Sequence, residues 1–304
     1  QLFGGIRGGL SYAVIIVGAI LGAITGTVAA SVIAMGLISL PVMMRYGYNV
    51  RHATGVIAAS GTITQLIPPS LVLIVLADQL QRSPGEMYIG ATGASIVQVL
   101  LFMGWVFILS NIRPEQVPAL PPEARTLKGW PLWAKIIRGT VPSLALIFIV
   151  LGTILLGLVT PTEAGAMGVV GAMLLAWMNG RLRWDVTWGG MVSTMRLTAM
   201  VVFILLGARV FTLVFQGVGG GHWIEELLSN LPGGVVGFLI FVNIFVFILA
   251  FFLDFFEIAF IVIPLLAPVA ESLGIDLVWF GVMICANMQT SFMHPPFGFA
   301  LFYL

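Results

Sequence analysis

Charged residues are scarce in this chain. Asp, Glu, Lys and Arg make up only 8% of its 304 residues, against roughly 25% in a typical soluble domain. Hydrophobic residues make up 60% and the mean hydropathy is +1.10, so there is too little polar surface to cover a water-soluble globule. The formal net charge of +1 also provides no basic surface for nucleic acid. These shortages exclude a soluble enzyme and a nucleic-acid-binding protein.

Cysteine is almost absent, and the common catalytic motifs are missing. The single Cys285 excludes an internal disulfide framework and a cysteine-based zinc site. Neither lysine ends a P-loop, there is no H-E-x-x-H motif, and GGIRGG at 4–9 follows no strand. We therefore expect no enzymatic activity. Glycine is abundant, with 36 residues, which is typical of closely packed and interrupted membrane helices. The composition predicts an all-α polytopic membrane protein.

Apolar stretches of about 20 residues match the thickness of the bilayer core. The sequence predicts eight of them, and four carry a polar or proline-containing interruption. They are the re-entrant hairpin 9–44 (interrupted at 25–27), 53–78 (interrupted at 61–69), 88–110, 139–159, 162–179, 193–215, the re-entrant hairpin 234–270 (interrupted near 254) and 277–304 (interrupted near 295). The proline-rich polar segment 111–138 is predicted to be a solvated linker.

Lys and Arg concentrate in short cytoplasmic loops of membrane proteins. That bias places the basic loops at 43–52, 111–138 and 180–190 in the cytoplasm. The loop with Glu271 and Asp276 then lies in the periplasm. The spans between these loops agree with this topology.

An internal repeat relates two distant parts of the chain. The segment SLPVMMRYGYN at 39–49 aligns without gaps on LAPVAESLGID at 266–276, an offset of 227 residues. The matched positions include Pro41 and Pro268, Gly47 and Gly274, Asn49 and Asp276, and the Pro-Pro pairs at 68–69 and 295–296. Five predicted spans, an odd number, separate the two loops, so the copies should have opposite orientations. Inverted repeats with broken helices are typical of secondary transporters.

The repeat also predicts the domain organisation. Residues 1–110 form the first copy, the linker follows, and residues 139–304 form the second copy. The first copy continues beyond its Pro-Pro pair through a further span, whereas eight residues follow Pro296. We therefore expect the sequence to be part of a longer chain, with at least one helix missing at the C-terminus.

The four interruptions carry hydroxyls, amides or a carboxylate in apolar surroundings. They are AITGTVAAS (23–31), AASGTITQLIPPS (58–70), FFLDFFEIAF (251–260) and NMQTSFMHPPFGF (287–299). Unpaired backbone is tolerated at membrane depth only where it is buried in protein or lines a wet cavity. Carbonyl and hydroxyl oxygens suit sodium, and half-helix N-termini suit an anionic substrate. These segments are predicted to bind an ion or a substrate.

Each segment also has a structural explanation. Gly18, Gly22 and Gly26 recur at four-residue spacing, which favours close packing of the first hairpin arm. The Pro-Pro pair at 68–69 can simply kink a helix. Asp254 can cap the half-helix that follows it, although a carboxylate in an apolar run is more often functional.

Four segments closely resemble one transporter family. They are ATGVIAASGTITQLIPPSLVLIVLADQ (53–79), GLVTPTEAGAMG (157–168), FLDFFEIAFIVIPLLAPVAESLGID (252–276) and QTSFMHPPFGFALFYL (289–304). They are similar to the large membrane subunit of tripartite ATP-independent periplasmic (TRAP) transporters of the mannitol/chloroaromatic type. The combination of TPTEAG with two Pro-Pro segments is specific. His294 stands where the family pattern has Thr or Ser.

The resemblance implies a sodium-coupled elevator-type transporter of organic acids in the bacterial inner membrane. Its implied partners are a small membrane subunit and a periplasmic substrate-binding protein. The implied sodium ligands are Gly26, Ser60, Gly61, Thr62, Asp254, Asn287, Gln289 and Thr290. The implied substrate contacts are Thr25, Thr27, Thr64, Pro68, Ser291 and Pro295. No organic cofactor is expected.

Two other functions stay open at this point. One is a stand-alone ion or dicarboxylate transporter that needs no binding protein. The other is a non-transporting membrane subunit of a larger complex, for which substitutions at the broken helices would have no effect on ion-dependent behaviour.

Overall fold

A computed structural model describes residues 2–126, 129–296, 298–302 and 304, and within these residues the secondary structure is helical without strands. Positions 1, 127–128, 297 and 303 belong to the predicted repeats and linker and lie outside the described residues. The helices are α1 Gly9–Thr25, α2 Val28–Arg45, α3 Val50–Thr62, α4 Leu71–Gln79, α5 Pro84–Ile112, α6 Trp130–Leu155, α7 Pro161–Met178, α8 Trp184–Gly217, α9 Gly220–Ser229, α10 Gly234–Leu249, α11 Phe255–Glu257, α12 Ile263–Ser272, α13 Leu277–Met288 and α14 Phe299–Phe302.

Short irregular helical turns extend several of these elements. A 3₁₀ turn at Ile63–Gln65 follows α3, and another at Gln289–Met293 follows α13. A π-helical turn at Ile258–Val262 joins α11 to α12, which makes one continuous run from Phe255 to Ser272. These three turns lie in three of the four segments that the sequence marks as interrupted, and two further 3₁₀ turns, Pro114–Gln116 and Pro122–Ala124, lie in the linker.

The chain forms two compact units. Unit 1 consists of Gln1–Leu71, Ala91–Thr153 and Phe292–Leu304. Unit 2 consists of Val72–Gly90 and Ile154–Ser291. Unit 1 thus contains the α1–α2 hairpin, α3 and the end of the second broken helix, whereas unit 2 contains α10 to α13 and the end of the first.

Local structure repeats at the offset seen in the sequence. Helix α2 spans Val28–Arg45, and the run from α11 to α12 spans Phe255–Ser272, with both ends displaced by 227 residues. Gly47 and Gly274 both have positive φ, 78° and 72°, a conformation that glycine adopts without the steric cost paid by other residues. The inverted membrane orientation of the two copies stays a prediction.

Side-chain caps repeat as well. The Asn49 side chain accepts hydrogen bonds from the backbone N–H groups of Arg51 and His52 at the start of α3. The Asp276 carboxylate accepts one from the N–H of Trp279 at the start of α13. In each copy, a short polar side chain satisfies backbone donors that the helix leaves free.

Glycine allows three helices of unit 1 to approach closely. A Cβ atom on Gly18 would lie 2.8 Å from the Ser60 Cβ. One on Gly22 would lie 3.0 Å from the Cα of Thr64, and one on Gly61 would lie 2.3 Å from a methyl carbon of Val32. The packing interpretation of Gly18 and Gly22 is confirmed, because both face α3 or the turn after it.

Aromatic and small residues build the core of unit 2. Phe238 of α10 and Phe280 of α13 are fully buried and stack with their ring centroids 6.1 Å apart. A Cβ atom on Gly281 would lie 2.6 Å from the side chains of Leu80 and Met87. This close contact ties the segment that follows α4 to α13.

Five helical runs among the described residues are long and apolar enough to cross a membrane. They are Val28–Arg45, Pro84–Ile112, Trp130–Leu155, Trp184–Gly217 and Phe255–Ser272. The α9–α10 pair, bent by 119°, would make a sixth. Helix α7 covers the predicted span 162–179 but is not among them, because its first turn contains Pro, Thr and Glu.

Two helices begin nine residues earlier than predicted. Helix α6 starts at Trp130 rather than 139, and α8 starts at Trp184 rather than 193. Pro131 falls in the first turn of α6, where proline is tolerated because the helix does not use its N–H. Lys135 and Arg138 therefore belong to a helix and not to the linker.

The close packing of α1 on α3 predicts unequal effects of two glycine substitutions. Gly18→Ala should destabilise the protein by about 1–3 kcal/mol through overpacking against Ser60. Gly55→Ala on α3 meets no atom within 4 Å and should be neutral or stabilising, since alanine favours helix. Thermal melting of the purified variants measures both. Equal melting temperatures would contradict the packing interpretation.

The repeat predicts opposite membrane sides for Arg45→Cys and Ser272→Cys. Both positions are exposed helix ends at the repeat offset, and the single native cysteine, Cys285, is buried. A membrane-impermeant maleimide added to intact cells should label Ser272→Cys at once and Arg45→Cys only after permeabilisation. Labelling of both variants from the same side would contradict an inverted repeat.

Candidate functional site

Three hydroxyl groups of unit 1 meet between the α1–α2 turn and the end of α3. Thr25 Oγ1 lies 2.6 Å from Ser31 Oγ, and Thr64 Oγ1 lies 3.0 Å from the same oxygen. Ser31 and Thr64 have no solvent exposure. We call Thr25, Ser31 and Thr64 the hydroxyl cluster. It joins two of the segments that the sequence predicts to bind an ion or substrate.

The polar residues at the end of α3 share one bonding pattern. Hydroxyls of Ser60, Thr62 and Thr64 donate to carbonyl oxygens three residues earlier, at distances of 3.1, 2.9 and 2.6 Å. A hydroxyl that donates its hydrogen keeps oxygen lone pairs for another partner. The same arrangement that satisfies the backbone therefore leaves oxygen atoms capable of binding a cation.

The turn between α1 and α2 depends on Gly26. Its φ is 62°, and its backbone N–H donates to the Gly22 carbonyl, so it closes the end of α1. Thr27 precedes α2 but makes no side-chain cap. The first N–H groups of α2 are therefore not bonded by the Thr27 side chain. A helix N-terminus of this kind attracts negative charge.

The break after α3 is supported by side chains outside the predicted set. Ser95 Oγ of α5 lies 2.8 Å from the carbonyl oxygen of Leu66, and the hydroxyl of Ser70 donates to the Gln65 carbonyl. Pro68 lines a mostly apolar cavity of about 380 Å³ between α1, α5 and α6. At the break, Pro68 therefore borders a mostly apolar cavity.

In unit 2, two asparagines pair across α10 and α13. The Asn287 amide donates to the backbone carbonyl of Asn243 at 2.8 Å and lies 3.0 Å from its Oδ1. Oδ1 of Asn287 is buried and accepts no hydrogen bond from the residues that the structure describes. Thr290 and Ser291 hydroxyls donate to the carbonyls of Asn287 and Met288, repeating the pattern at the end of α3.

Asp254 caps a helix. Its Oδ1 accepts a 2.6 Å hydrogen bond from the Phe255 N–H, and Glu257 Oε2 accepts one from the Asp254 N–H at 3.0 Å. This reciprocal capping box is the structural alternative open from the sequence. Asp254 occupies the position equivalent to Thr27, so the two hairpin tips differ in charge.

The predicted site residues divide between the two units. Unit 1 contains Thr25, Gly26, Thr27, Ser60, Gly61, Thr62, Thr64, Pro68 and Pro295, and unit 2 contains Asp254, Asn287, Gln289, Thr290 and Ser291. In unit 1, Thr62 Oγ1 lies 3.7 Å from the sulfur of Met293, which places the end of the second broken helix beside α3. Pro295 is exposed, whereas Gln289 is buried.

Sequence reasoning missed four residues that the structure places beside the predicted ones. Ser31 completes the hydroxyl cluster, Asn243 pairs with Asn287, and Ser95 and Ser70 bind the backbone of the first break. Ser31 stood within a marked segment, and Asn243 is the one amide in the apolar run of α10. Ser95 carried no signal, because serine is common in packed membrane helices.

The described residues contain no group of three or more His, Cys, Asp or Glu side chains placed to bind a metal ion.

Comparisons with known proteins identify the family. A family model for the DctM component of tripartite ATP-independent periplasmic transporters matches residues 1–304. The C4-dicarboxylate TRAP transporter large permease protein DctM of Pseudomonas aeruginosa is 31% identical over 300 residues, covering 98% of this chain and 69% of that protein. Its namesake from Rhodobacter capsulatus is 32% identical, with 97% and 69% covered.

A further relative is named for a different substrate. The 2,3-diketo-L-gulonate TRAP transporter large permease protein YiaN of Escherichia coli is 26% identical, covering 98% of this chain and 69% of the relative. Family membership confirms that the chain is a transporter permease and not an enzyme. With its apolar helices and a family match over its whole length, the chain belongs to the large membrane subunits of the TRAP transporters, the DctM component family.

Proposed function

We propose that this subunit carries a small organic acid across the bacterial inner membrane together with sodium. It works with a periplasmic substrate-binding protein and a small membrane subunit, either separate or fused. The substrates for which similar permeases are named support an acid, since they include C4-dicarboxylates and 2,3-diketo-L-gulonate. The mannitol/chloroaromatic subfamily remains part of this proposal.

The observation that carries the proposal is the hydroxyl cluster. It concentrates neutral oxygen atoms from Thr25, Ser31 and Thr64 where α3 ends. Burying such groups is costly unless each has a partner, and these hydroxyls bond to one another while keeping lone pairs for a cation. We assign sodium to these hydroxyls together with the oxygen atoms of Gly26, Ser60, Gly61 and Thr62.

The second copy supplies an equivalent sodium site. Asn287 offers a buried carbonyl oxygen, and Gln289, Thr290 and Asp254 complete the proposed ligand set. Because Asn243 binds the Asn287 amide, it orients that oxygen. Asn243 is therefore a positioning residue for the proposed site.

The substrate carboxylate is assigned to the Thr25 and Thr27 end of the first hairpin. Helix α2 lacks a side-chain cap there, whereas the equivalent end of the second hairpin already has the Asp254 carboxylate. A second carboxylate beside Asp254 would be repelled. Pro68 and Pro295 are proposed as further substrate contacts in unit 1, and Ser291 is the contact proposed in unit 2. Thr25 and Thr64, which the resemblance implies as substrate contacts, would also bind sodium through the hydroxyl cluster.

Transport is proposed to follow an elevator mechanism. The two hairpins and the two broken helices move as a rigid transport domain, and the other spans form a static scaffold with the small subunit. The stretches α1–α2 and α10–α12 are proposed to be re-entrant hairpins.

Thr64→Val should weaken sodium binding. The substitution keeps the side-chain shape but removes one oxygen of the hydroxyl cluster, so the sodium concentration at half-maximal thermal stabilisation should rise roughly tenfold, or about 1.4 kcal/mol. Ligand binding to the folded state raises the melting temperature. Melting curves recorded while sodium replaces potassium at constant ionic strength therefore measure that sodium concentration.

Thr54→Val is the matched control for Thr64→Val. Thr54 lies on the same helix and its hydroxyl donates within one turn, to Val50, away from the break. It should keep the wild-type sodium response. Wild-type sodium response in Thr64→Val, or an equal loss in Thr54→Val, would contradict the assigned ion site.

Uptake into proteoliposomes distinguishes the tripartite transporter from a stand-alone one. The complete membrane complex, given an inward sodium gradient and labelled organic acids, should transport only when the cognate binding protein is added outside. Transport without that protein would favour the stand-alone alternative. A complex that responds to neither sodium nor binding protein would favour a non-transporting subunit.

A further inference from the structure

Unit 1 contains a second cavity, away from the broken helices. It lies between α3 and the C-terminal half of α5 and has a volume of about 830 Å³. One wall is apolar and includes Phe102, Trp105 and Ile108 of α5. Arg51 and Arg113 line the same cavity, so an apolar groove has cationic side chains on its wall. We call it the α3–α5 groove.

The charged residues that line the α3–α5 groove, Arg51 and Arg113, are both cationic. Its other polar lining residues are Asn49, His52 and Gln116, and no Asp or Glu lines it among the residues that the structure describes. Both arginines are exposed, and neither forms an ion pair among the described residues. The groove is therefore complementary to an anion with an apolar tail.

Backbone hydrogen bonds bring the two arginines to one place. The Asn49 N–H donates to the Gln116 carbonyl at 3.0 Å, which ties the start of α3 to the turn after α5. The Asn49 side chain accepts from the Arg51 N–H at 3.0 Å, and the Gln116 N–H donates to the Arg113 carbonyl at 3.0 Å. Backbone hydrogen bonds therefore hold the segments that carry Arg51 and Arg113 next to each other.

We propose that the α3–α5 groove binds an anionic phospholipid, with its phosphate at Arg51 and Arg113 and an acyl chain along Trp105 and Ile108. Helix α5 is a candidate membrane span that ends at Ile112, so Arg113 lies at the depth of lipid headgroups. Basic pockets between membrane helices bind such headgroups. A helix of another protein would need only the apolar wall, so the two arginines favour an anionic lipid. The site is independent of the proposed transport reaction.

Lipid titration of the purified full chain tests the site. Native mass spectrometry in an uncharged detergent should show saturable binding of one phosphatidylglycerol molecule. Phosphatidylcholine with the same acyl chains should bind at least about tenfold more weakly, because its headgroup has no net charge. Glycerol phosphate without acyl chains should not compete at equal concentration.

Two pairs of variants locate the lipid. Arg51→Gln combined with Arg113→Gln should lower phosphatidylglycerol affinity roughly thirtyfold. Each cation near anionic lipid contributes about fivefold, and the two effects multiply. The control Arg45→Gln removes a nearby arginine that does not line the groove and should bind normally. Trp105→Ala should also weaken binding, whereas Phe107→Ala, an exposed residue of α5 outside the groove, should not.

Three results would overturn the proposal. Equal binding of the two phospholipids would remove the role of charge, and equal binding of glycerol phosphate would show a site for a soluble anion. Wild-type affinity in the double arginine variant, or the same loss in Arg45→Gln, would show that the lipid binds elsewhere or through diffuse surface charge. In that case the α3–α5 groove would be free to bind a protein helix.

Discussion

Every backbone polar group in a lipid environment must find a partner within the protein, and the breaks in this fold are built around that requirement. Where α3 and α13 end, each helix passes into a 3₁₀ turn, and nearby hydroxyls donate to carbonyl groups three residues earlier. Ser60, Thr62 and Thr64 do so in the first copy, and Thr290 and Ser291 in the second. Several oxygen atoms of the proposed sites thus also hydrogen-bond to the backbone at the breaks.

Close helix packing brings these oxygen atoms together. Gly18 and Gly22 allow α1 to approach the end of α3, and Gly61 does the same for α2. Only at that separation does Ser31 of α2 lie within hydrogen-bond distance of both Thr25 and Thr64. Packing of the apolar helices and assembly of the hydroxyl cluster therefore depend on the same glycines, and larger side chains at these positions would disturb both.

Much of the architecture was predictable because local rules decide it. Apolar length, glycine content and the proline positions predicted the helices, and the 227-residue offset between Pro41 and Pro268 predicted where local structure repeats. The largest errors were at polar helix starts. Trp130 and Trp184 begin helices within segments predicted to be loops, because helices continue beyond the apolar core and carry basic side chains at their ends.

Composition and motifs were enough to predict the membrane class, the transporter family and the polar segments of the broken helices. Which of those polar groups contact one another could be seen only in the folded chain. It joined Thr25 to Ser31 and Thr64, paired Asn287 with Asn243, and used Asp254 as a helix cap. The physical reason is that composition and periodicity report what a residue prefers locally, whereas hydrogen bonding between distant segments depends on how closely their helices pack.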